Sequence, residues 1–118
     1  RGWAATELDA GNGMAGKVIP LVYDKLPIKI IPLYFKMDGT FPNHHPDPTV
    51  DSNLVDLQNF ILDNNCDLGI AFDGDADRIL IIDENAKIVN GDEILYILAK
   101  ANLDNPKFNS KVVVQIAL

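Results

Sequence analysis

The chain has 118 residues, within the usual range of a single domain, and 47% of them are apolar, enough for an ordinary core. Its net charge is −7 with no basic stripe or cluster, which argues against nucleic acid or an anionic membrane as partner. One cysteine, Cys66, excludes an internal disulfide framework and fits a reducing compartment; no apolar run reaches the ~18 residues of a membrane span and no signal peptide is visible, so the chain reads as cytoplasmic.

In chain order, residues 3 to 9 predict a first strand, although Thr6 and Glu7 interrupt its apolar pattern. Gly11-Asn12-Gly13-Met14-Ala15-Gly16 is a glycine-rich turn, after which Met14, Val18, Leu21 and Val22 recur at helical spacing. Pro20 fits such a helix only in its first turn or at a kink. Residues 28 to 35 predict a second strand, where Pro32 argues for an edge position or a bulge. Pro42, Pro46 and Pro48 keep residues 38 to 50 extended, as a loop. Asp51 or Ser52 then offers an N-cap to a second helix. Leu54, Leu57, Phe60 and Ile61 form its apolar face, and it ends near Asn64 and Asn65. Cys66 follows as a core residue.

The third strand, residues 68 to 72, runs into Asp73. Residues 79 to 83, a turn at 84 to 86 and residues 87 to 89 predict a short hairpin. Asn90 or Asp92 caps a third helix with Ile94, Leu95, Leu98 and Ala101 on its buried side. Asn105-Pro106 breaks the chain, Ser110 reads as linker, and residues 111 to 118 begin another strand. The chain lacks an initiator methionine, starts on Arg1 and stops at Leu118 inside that strand, so both ends read as cut. We expect a fragment: one domain over residues 1 to 110, then a linker or the next domain's first strand over 111 to 118. The order of elements predicts an α/β fold, three-layer-like, with a mixed, mostly parallel sheet of about four strands flanked by helices.

The most informative stretch is Asp73-Gly74-Asp75-Ala76-Asp77-Arg78, three aspartates on alternate positions between two apolar runs. A solvated acidic turn needs one or two such residues, not three at fixed spacing. Carboxylates this close raise each other's pKa unless a cation neutralises them. Oxygen donors suit a hard ion: Mg²⁺, Mn²⁺ or Ca²⁺. In a straight strand, residues two apart stand about 7 Å from each other. One small ion needs oxygens at roughly 2 Å. The chain must therefore curl, and Gly74 permits the curl. In parallel α/β sheets ligands bind at the carboxyl ends of the strands, where this cluster falls.

Other templates match in part. A calcium loop counted from Asp73 finds Asp75, Asp77 and Glu84, but has Arg78 where glycine is needed and strands where helices belong. Gly11, Gly13 and Gly16 satisfy G-x-G-x-x-G, with Asp38 after the second strand, as in dinucleotide-binding domains. That reading leaves the aspartates without a role, and a tight turn for close strand–helix packing explains the glycines as well. Asp73 could instead be a phosphorylated nucleophile with Asp75 as general acid, as in phosphatases of the haloacid-dehalogenase type. Those have Thr or Val where this chain has Asp77. A stand-alone metal-binding or interaction module is the non-enzyme alternative.

Three motifs occur in order: Asp9-Ala10-Gly11-Asn12-Gly13-Met14-Ala15-Gly16, then Phe41-Pro42-Asn43-His44-His45-Pro46-Asp47-Pro48, then Asp73 to Arg78. Together they resemble the second domain of the α-D-phosphohexomutases. The His-His-Pro loop resembles the phosphomannomutase/phosphoglucomutase branch more than the phosphoglucosamine mutases. The resemblance implies a four-domain enzyme that interconverts hexose 1-phosphate and 6-phosphate through a phosphoserine on the first domain and a bisphosphate intermediate. It implies that Asp73, Asp75 and Asp77 bind Mg²⁺, which also touches the phosphoserine, and that Arg78 lies beside the transferring phosphoryl group. An ion pair between Arg78 and the same aspartates is compatible with that role. His44 and His45 compete poorly for Mg²⁺ and are expected to hydrogen-bond the loop beside the cleft. The serine, sugar and phosphate loops of the family are absent from these residues, so the chain alone is expected to be inactive.

Overall fold

A computed structural model of the chain describes residues 4–107. Trp3, Ser110 and the strand expected at 111 to 118, with the boundary at 110, lie outside the described residues. The elements follow the expected order. They are β1 (Ala4–Asp9), α1 (Ala15–Tyr23), β2 (Ile28–Leu33), a 3-10 turn (Asp51–Leu54) leading into α2 (Val55–Asp63), β3 (Leu68–Phe72), β4 (Ile79–Asp83), β5 (Ile88–Val89) and α3 (Gly91–Leu103). The sheet is mixed, in the order β2-β1-β3-β4-β5. It has five strands rather than about four, because the short second arm of the hairpin joins it. β1 pairs parallel with β2 and with β3, and β3 pairs antiparallel with β4. Pro32 lies on the edge strand β2, where its missing N–H is tolerated.

The chain divides into two compact units between Ile88 and Val89. In the first, helices cover both faces of the sheet. Leu8, Ala10, Ile70 and Phe72 pack with Ala15 and Ile19 of α1. Leu33, Cys66, Ala71 and Ile82 pack with Leu54, Leu57 and Ile61 on the α2 side. Each such aliphatic side chain taken from water contributes about 1.5–3 kcal/mol. β1 is central, which is why Thr6 and Glu7 do not break it: both are buried. Leu8 joins the α1 core, while Glu7 turns to the α2 side and accepts a hydrogen bond from the Cys66 thiol at 3.5 Å. Burial, then the neighbouring Glu7, pushes the thiol up to about 11, and Cys66 is a core residue, as expected.

The helix faces differ in detail from the expectation. α1 buries Ala15 and Ile19, not the stripe Met14, Val18, Leu21 and Val22, which is exposed. The cause is Gly16: a Cβ there would overlap the Phe35 carbonyl, so α1 lies close to the strand end through its small side. Pro20 sits inside α1 rather than in its first turn. On α2, Leu54, Leu57 and Ile61 are buried but Phe60 is exposed. Neither Asp51 nor Ser52 caps α2; both belong to the 3-10 turn, and Leu54 occupies the cap position without a side-chain bond. Asn65, in the left-handed region at φ 50°, turns the chain after α2.

In the second unit Asn90 caps α3. Its side-chain oxygen accepts the Glu93 N–H at 3.0 Å, and its amide donates to the Glu93 carboxylate at 2.9 Å. No residue of α3 is buried: Ile94 and Leu95 are half-buried, and Leu98 and Ala101 are exposed. The helix supplies most of the described residues of its unit, and among these no second helix covers its apolar side. No helix among the described residues is long and apolar enough to cross a membrane.

Candidate metal centre

β3 delivers Asp73 to the carboxyl edge of the sheet, buried to 7% exposure. The next five residues fold back on it. The Ala76 N–H donates to the Asp73 carbonyl at 3.1 Å, and the Asp73 N–H to the Arg78 carbonyl at 3.3 Å. The left-handed residue of this curl is Ala76, φ 61°, and not Gly74. A Cβ at Gly74 would meet only Pro46 Cγ at 3.5 Å, an ordinary contact. Left-handed backbone costs a non-glycine residue about 1 kcal/mol or more, so the loop carries strain that its closing hydrogen bonds offset.

The curl brings the three aspartates together. One carboxylate oxygen from each of Asp73, Asp75 and Asp77 lies within 4.8 Å of the others. Oxygens held at about 2.1 Å around one octahedral Mg²⁺ stand roughly 3–4 Å apart, so the cluster fits a small dication after slight closure. With acid oxygens as its only donors, it suits a hard ion. Glu84, the calcium-loop candidate, is not in this group; it lies in the turn at the far end of β4.

The charges report the same proximity. The Asp77 carboxyl is held above the usual carboxylate range, first by its hydrogen bond with Asp73 and then by that with Asp75. Burial pushes Asp73 up, but the Arg78 backbone N–H, the bond with Asp77 and the Arg78 guanidinium outweigh it, leaving Asp73 below the usual range. Arg78 clasps Asp73 twice: its backbone N–H reaches Oδ1 at 3.0 Å and its Nε reaches Oδ2 at 3.1 Å. Its Nε is 3.7 Å from Asp77. The two terminal guanidinium nitrogens make no hydrogen bond to described residues, and the side chain is 73% exposed. A cavity of about 370 Å³ opens here, walled by Phe41, His45, Asp47, Asp73, Asp75 and Arg78.

Two segments position the cluster, and both come from the sequence motifs. The glycine-rich turn grips the aspartate loop through backbone: the Met14 N–H, at the start of α1, donates to the Gly74 carbonyl at 2.9 Å. A Cβ at Gly13 would stand 2.7 Å from that same oxygen. Gly11, Gly13 and Gly16 thus serve close packing, and a carbonyl of the chain itself occupies the helix N-terminus where a dinucleotide phosphate would sit. Asn12 holds the next segment. Its amide donates to the Lys36 carbonyl, its side-chain oxygen accepts from the Asn43 amide, both at 2.9 Å, and its carbonyl accepts the Asp38 N–H. The His-His-Pro loop is held by Asp9, whose Oδ2 lies 2.8 Å from His44 Nε2 and whose Oδ1 accepts the Gly11 N–H at 2.8 Å. Asp9 and Asn12 received no role from sequence reasoning, although they stand in the first motif. The signal for them is polarity at the end of a buried central strand, where each polar group must find a partner.

The chain is similar to known proteins in sequence and in fold. A family model described as phosphoglucomutase/phosphomannomutase, alpha/beta/alpha domain II, matches residues 7–87. The chain is 45% identical to phosphomannomutase/phosphoglucomutase of Pseudomonas aeruginosa over 93 residues, 79% of this chain and 20% of that protein. It is 44% identical to phosphoglucosamine mutase 2 of Shewanella frigidimarina over 94 residues, 80% of this chain and 20% of that protein. A crystal structure of a phosphoglucomutase/phosphomannomutase family protein from Burkholderia thailandensis superposes with a TM-score of 0.81 at 35% identity, covering 85% of this chain and 22% of that one. The chain therefore spans about a fifth of the length of the curated relatives it matches. It belongs to the phosphoglucomutase/phosphomannomutase family, of which it carries the alpha/beta/alpha domain II.

Proposed function

We propose that this chain is the metal-holding domain of a cytoplasmic phosphohexomutase. The whole enzyme interconverts the 1-phosphate and 6-phosphate of glucose or mannose through a phosphoserine on another domain and a bisphosphate intermediate. The observation that carries this reading is the triangle of Asp73, Asp75 and Asp77 with Arg78 beside it, at the carboxyl edge of a parallel strand. Mg²⁺ is the ion assigned, from the all-oxygen donor set and the family membership. Bound there, it supplies positive charge against the charge that develops on the phosphoryl oxygens.

The remaining roles belong to the chain. The three carboxylates hold the ion and carry no proton during transfer. Arg78 fixes Asp73 with its Nε, which leaves its terminal nitrogens to bond the phosphoryl group; a guanidinium is well suited to that task. The two relatives compared above carry different sugar names at nearly the same identity, which supports placing the shared phosphoryl chemistry in this domain and the choice of sugar elsewhere.

The test is a Mg²⁺ or Mn²⁺ titration of the full-length protein beside its Asp75→Asn variant, reading turnover of glucose 1-phosphate. Asp75 is exposed and bonds no backbone, so its substitution spares the fold. The wild type should gain activity with metal, and the variant should lose about a hundredfold or more. Equal activity in both would remove the role assigned to the aspartates.

A further inference from the structure

We propose that the two adjacent histidines divide the work of the His-His-Pro loop: His44 is a positioning residue latched onto Asp9, and His45 contacts the phosphoryl group of the ligand in the cavity. The inference rests on the mutase reading above and adds a second side-chain donor to the site.

His44 faces inward. Its Nε2 meets the Asp9 carboxylate at 2.8 Å and its Nδ1 meets the His45 carbonyl at 2.9 Å. Both neighbours are acceptors, so satisfying them together takes both ring N–H groups, and the ring is only 12% exposed. The Tyr34 ring packs edge-on against it, with centroids 5.5 Å apart. Both ring nitrogens of His44 are thus spent on the protein. The latch has a mechanical consequence two residues on. Pro46 is buried against the first and third motifs: a Cβ at Gly11 would meet His44 at 3.1 Å and Pro46 at 3.2 Å, and one at Gly74 would meet Pro46 at 3.5 Å. Asp9, His44, Pro46 and Gly74 form a continuous line from the end of β1 to the aspartate loop.

His45 faces the other way. It is exposed, its ring stands edge-on to Phe41 with centroids 6.0 Å apart, and its ring nitrogens bond no described residue. It lines the cavity with Asp73, Asp75 and Arg78. With the carboxylates ionised, His45 and Arg78 are the two lining side chains that can donate a hydrogen bond. A phosphoryl group beside the cluster presents only acceptors, so these are the side chains here able to bond it. Arg78 is partly committed to Asp73, whereas His45 is not.

The experiment uses the full-length protein carrying His45→Ala, His45→Gln, His44→Ala or His44→Gln, with Asp75→Asn as reference. Two quantities are read: Mn²⁺ affinity without sugar, by electron paramagnetic resonance, and kcat and KM for glucose 1-phosphate. His45→Ala should leave Mn²⁺ affinity unchanged and lower kcat/KM by about tenfold or more. His45→Gln keeps an N–H donor and should recover part of the loss. His44→Ala should weaken Mn²⁺ binding and lower kcat/KM by about tenfold or more together, because the line through Pro46 to Gly74 slackens. His44→Gln, still able to donate to Asp9, should restore both. If His44→Ala does not fold, His44→Asn takes its place, too short to reach Asp9, with the same joint loss expected. Wild-type behaviour of His45→Ala, or an equal loss of Mn²⁺ affinity and kcat/KM, overturns the role of His45. Wild-type behaviour of the His44 variants overturns the latch. Unchanged Mn²⁺ affinity in Asp75→Asn would sink the metal-site reading itself, whatever the histidines do.

Discussion

The glycine-rich turn and the aspartate loop meet at one edge of the sheet and contribute in opposite ways. The loop carries the charged groups and leaves Asp75, Asp77 and Arg78 exposed. The turn from Ala10 to Gly13 is fully buried and offers no charged side chain at all. Yet the turn fixes where the loop lies, by leaving no room for a Cβ at Gly13 and by leading into Met14, whose backbone N–H donates to the Gly74 carbonyl. Chemistry sits on the segment water can reach, and geometry sits on the one it cannot. Substitutions in the turn should therefore damage function without removing any ligand.

The largest effect is expected at Gly16. Its Cβ would overlap a backbone carbonyl, Phe35 O, which has no flexible end to give way. Gly16→Ala should cost about 3 kcal/mol or more, seen as loss of the cooperative unfolding transition. Gly13→Ala comes next. Its Cβ would stand 2.7 Å from Gly74 O, so the loop must move while the cores on both sheet faces stay intact. Mn²⁺ affinity should fall about tenfold or more with far-ultraviolet circular dichroism unchanged. Unaltered Mn²⁺ affinity would show that the turn does not set the loop.

Within the loop, Asp73→Asn and Asp75→Asn should separate binding from stability. Both remove an oxygen anion from the cluster. Only Asp73 also accepts the Arg78 backbone N–H and guanidinium, at 7% exposure. Asp73→Asn should cost about 1–3 kcal/mol of stability, and Asp75→Asn close to none, in urea melts without metal. Equal costs would mean that the clasp by Arg78 contributes little.

Much of this was legible in the residues, for physical reasons that also explain the gaps. The alternation at Asp73, Asp75 and Asp77 shows the cluster because charge repulsion at that spacing demands a reason. The curl lies where it was expected, but the residue that makes it does not. Glycine marks where left-handed backbone is cheap, but here Ala76 adopts it, held by hydrogen bonds no sequence pattern displays. Helical periodicity found α1 and chose the wrong face. Hydrophobic size points to Leu21 and Val22, whereas the close approach at Gly16 selects small residues. β1 read as weak because Thr6 and Glu7 interrupt its apolar pattern, yet a strand paired on both sides can bury them, and the Cys66 thiol supplies Glu7 with a partner. The two histidines look alike in sequence and part ways only in three dimensions.

The smallest expected effect concerns buried charge, and it sharpens the same contrast between spent and free groups. Burial, opposed by the Cys66 bond, raises the Glu7 pKa above its ordinary value of 4.5. The Asp9 hydrogen bond, opposed by burial, raises that of His44 above 6.5. A group whose folded pKa is raised binds its proton more tightly in the folded state, so its stabilisation is whole below the unfolded pKa and is lost as pH rises through the folded one. Both groups thus make stability fall with rising pH, but from different starting points: Glu7 from about pH 4.5 and His44 from about pH 6.5. Thermal melts of the chain across pH 4.5 to 8.5 should separate them, with effects of about 1 kcal/mol each. Glu7→Gln should flatten the lower part of the profile and raise the melting temperature at neutral pH, because no charge then needs burying. His44→Gln should flatten only the part above pH 6.5 and lower the melting temperature below it, since the amide cannot take up the proton that strengthens the bond to Asp9. A profile unchanged by His44→Gln would mean that the latch holds equally well with a neutral ring.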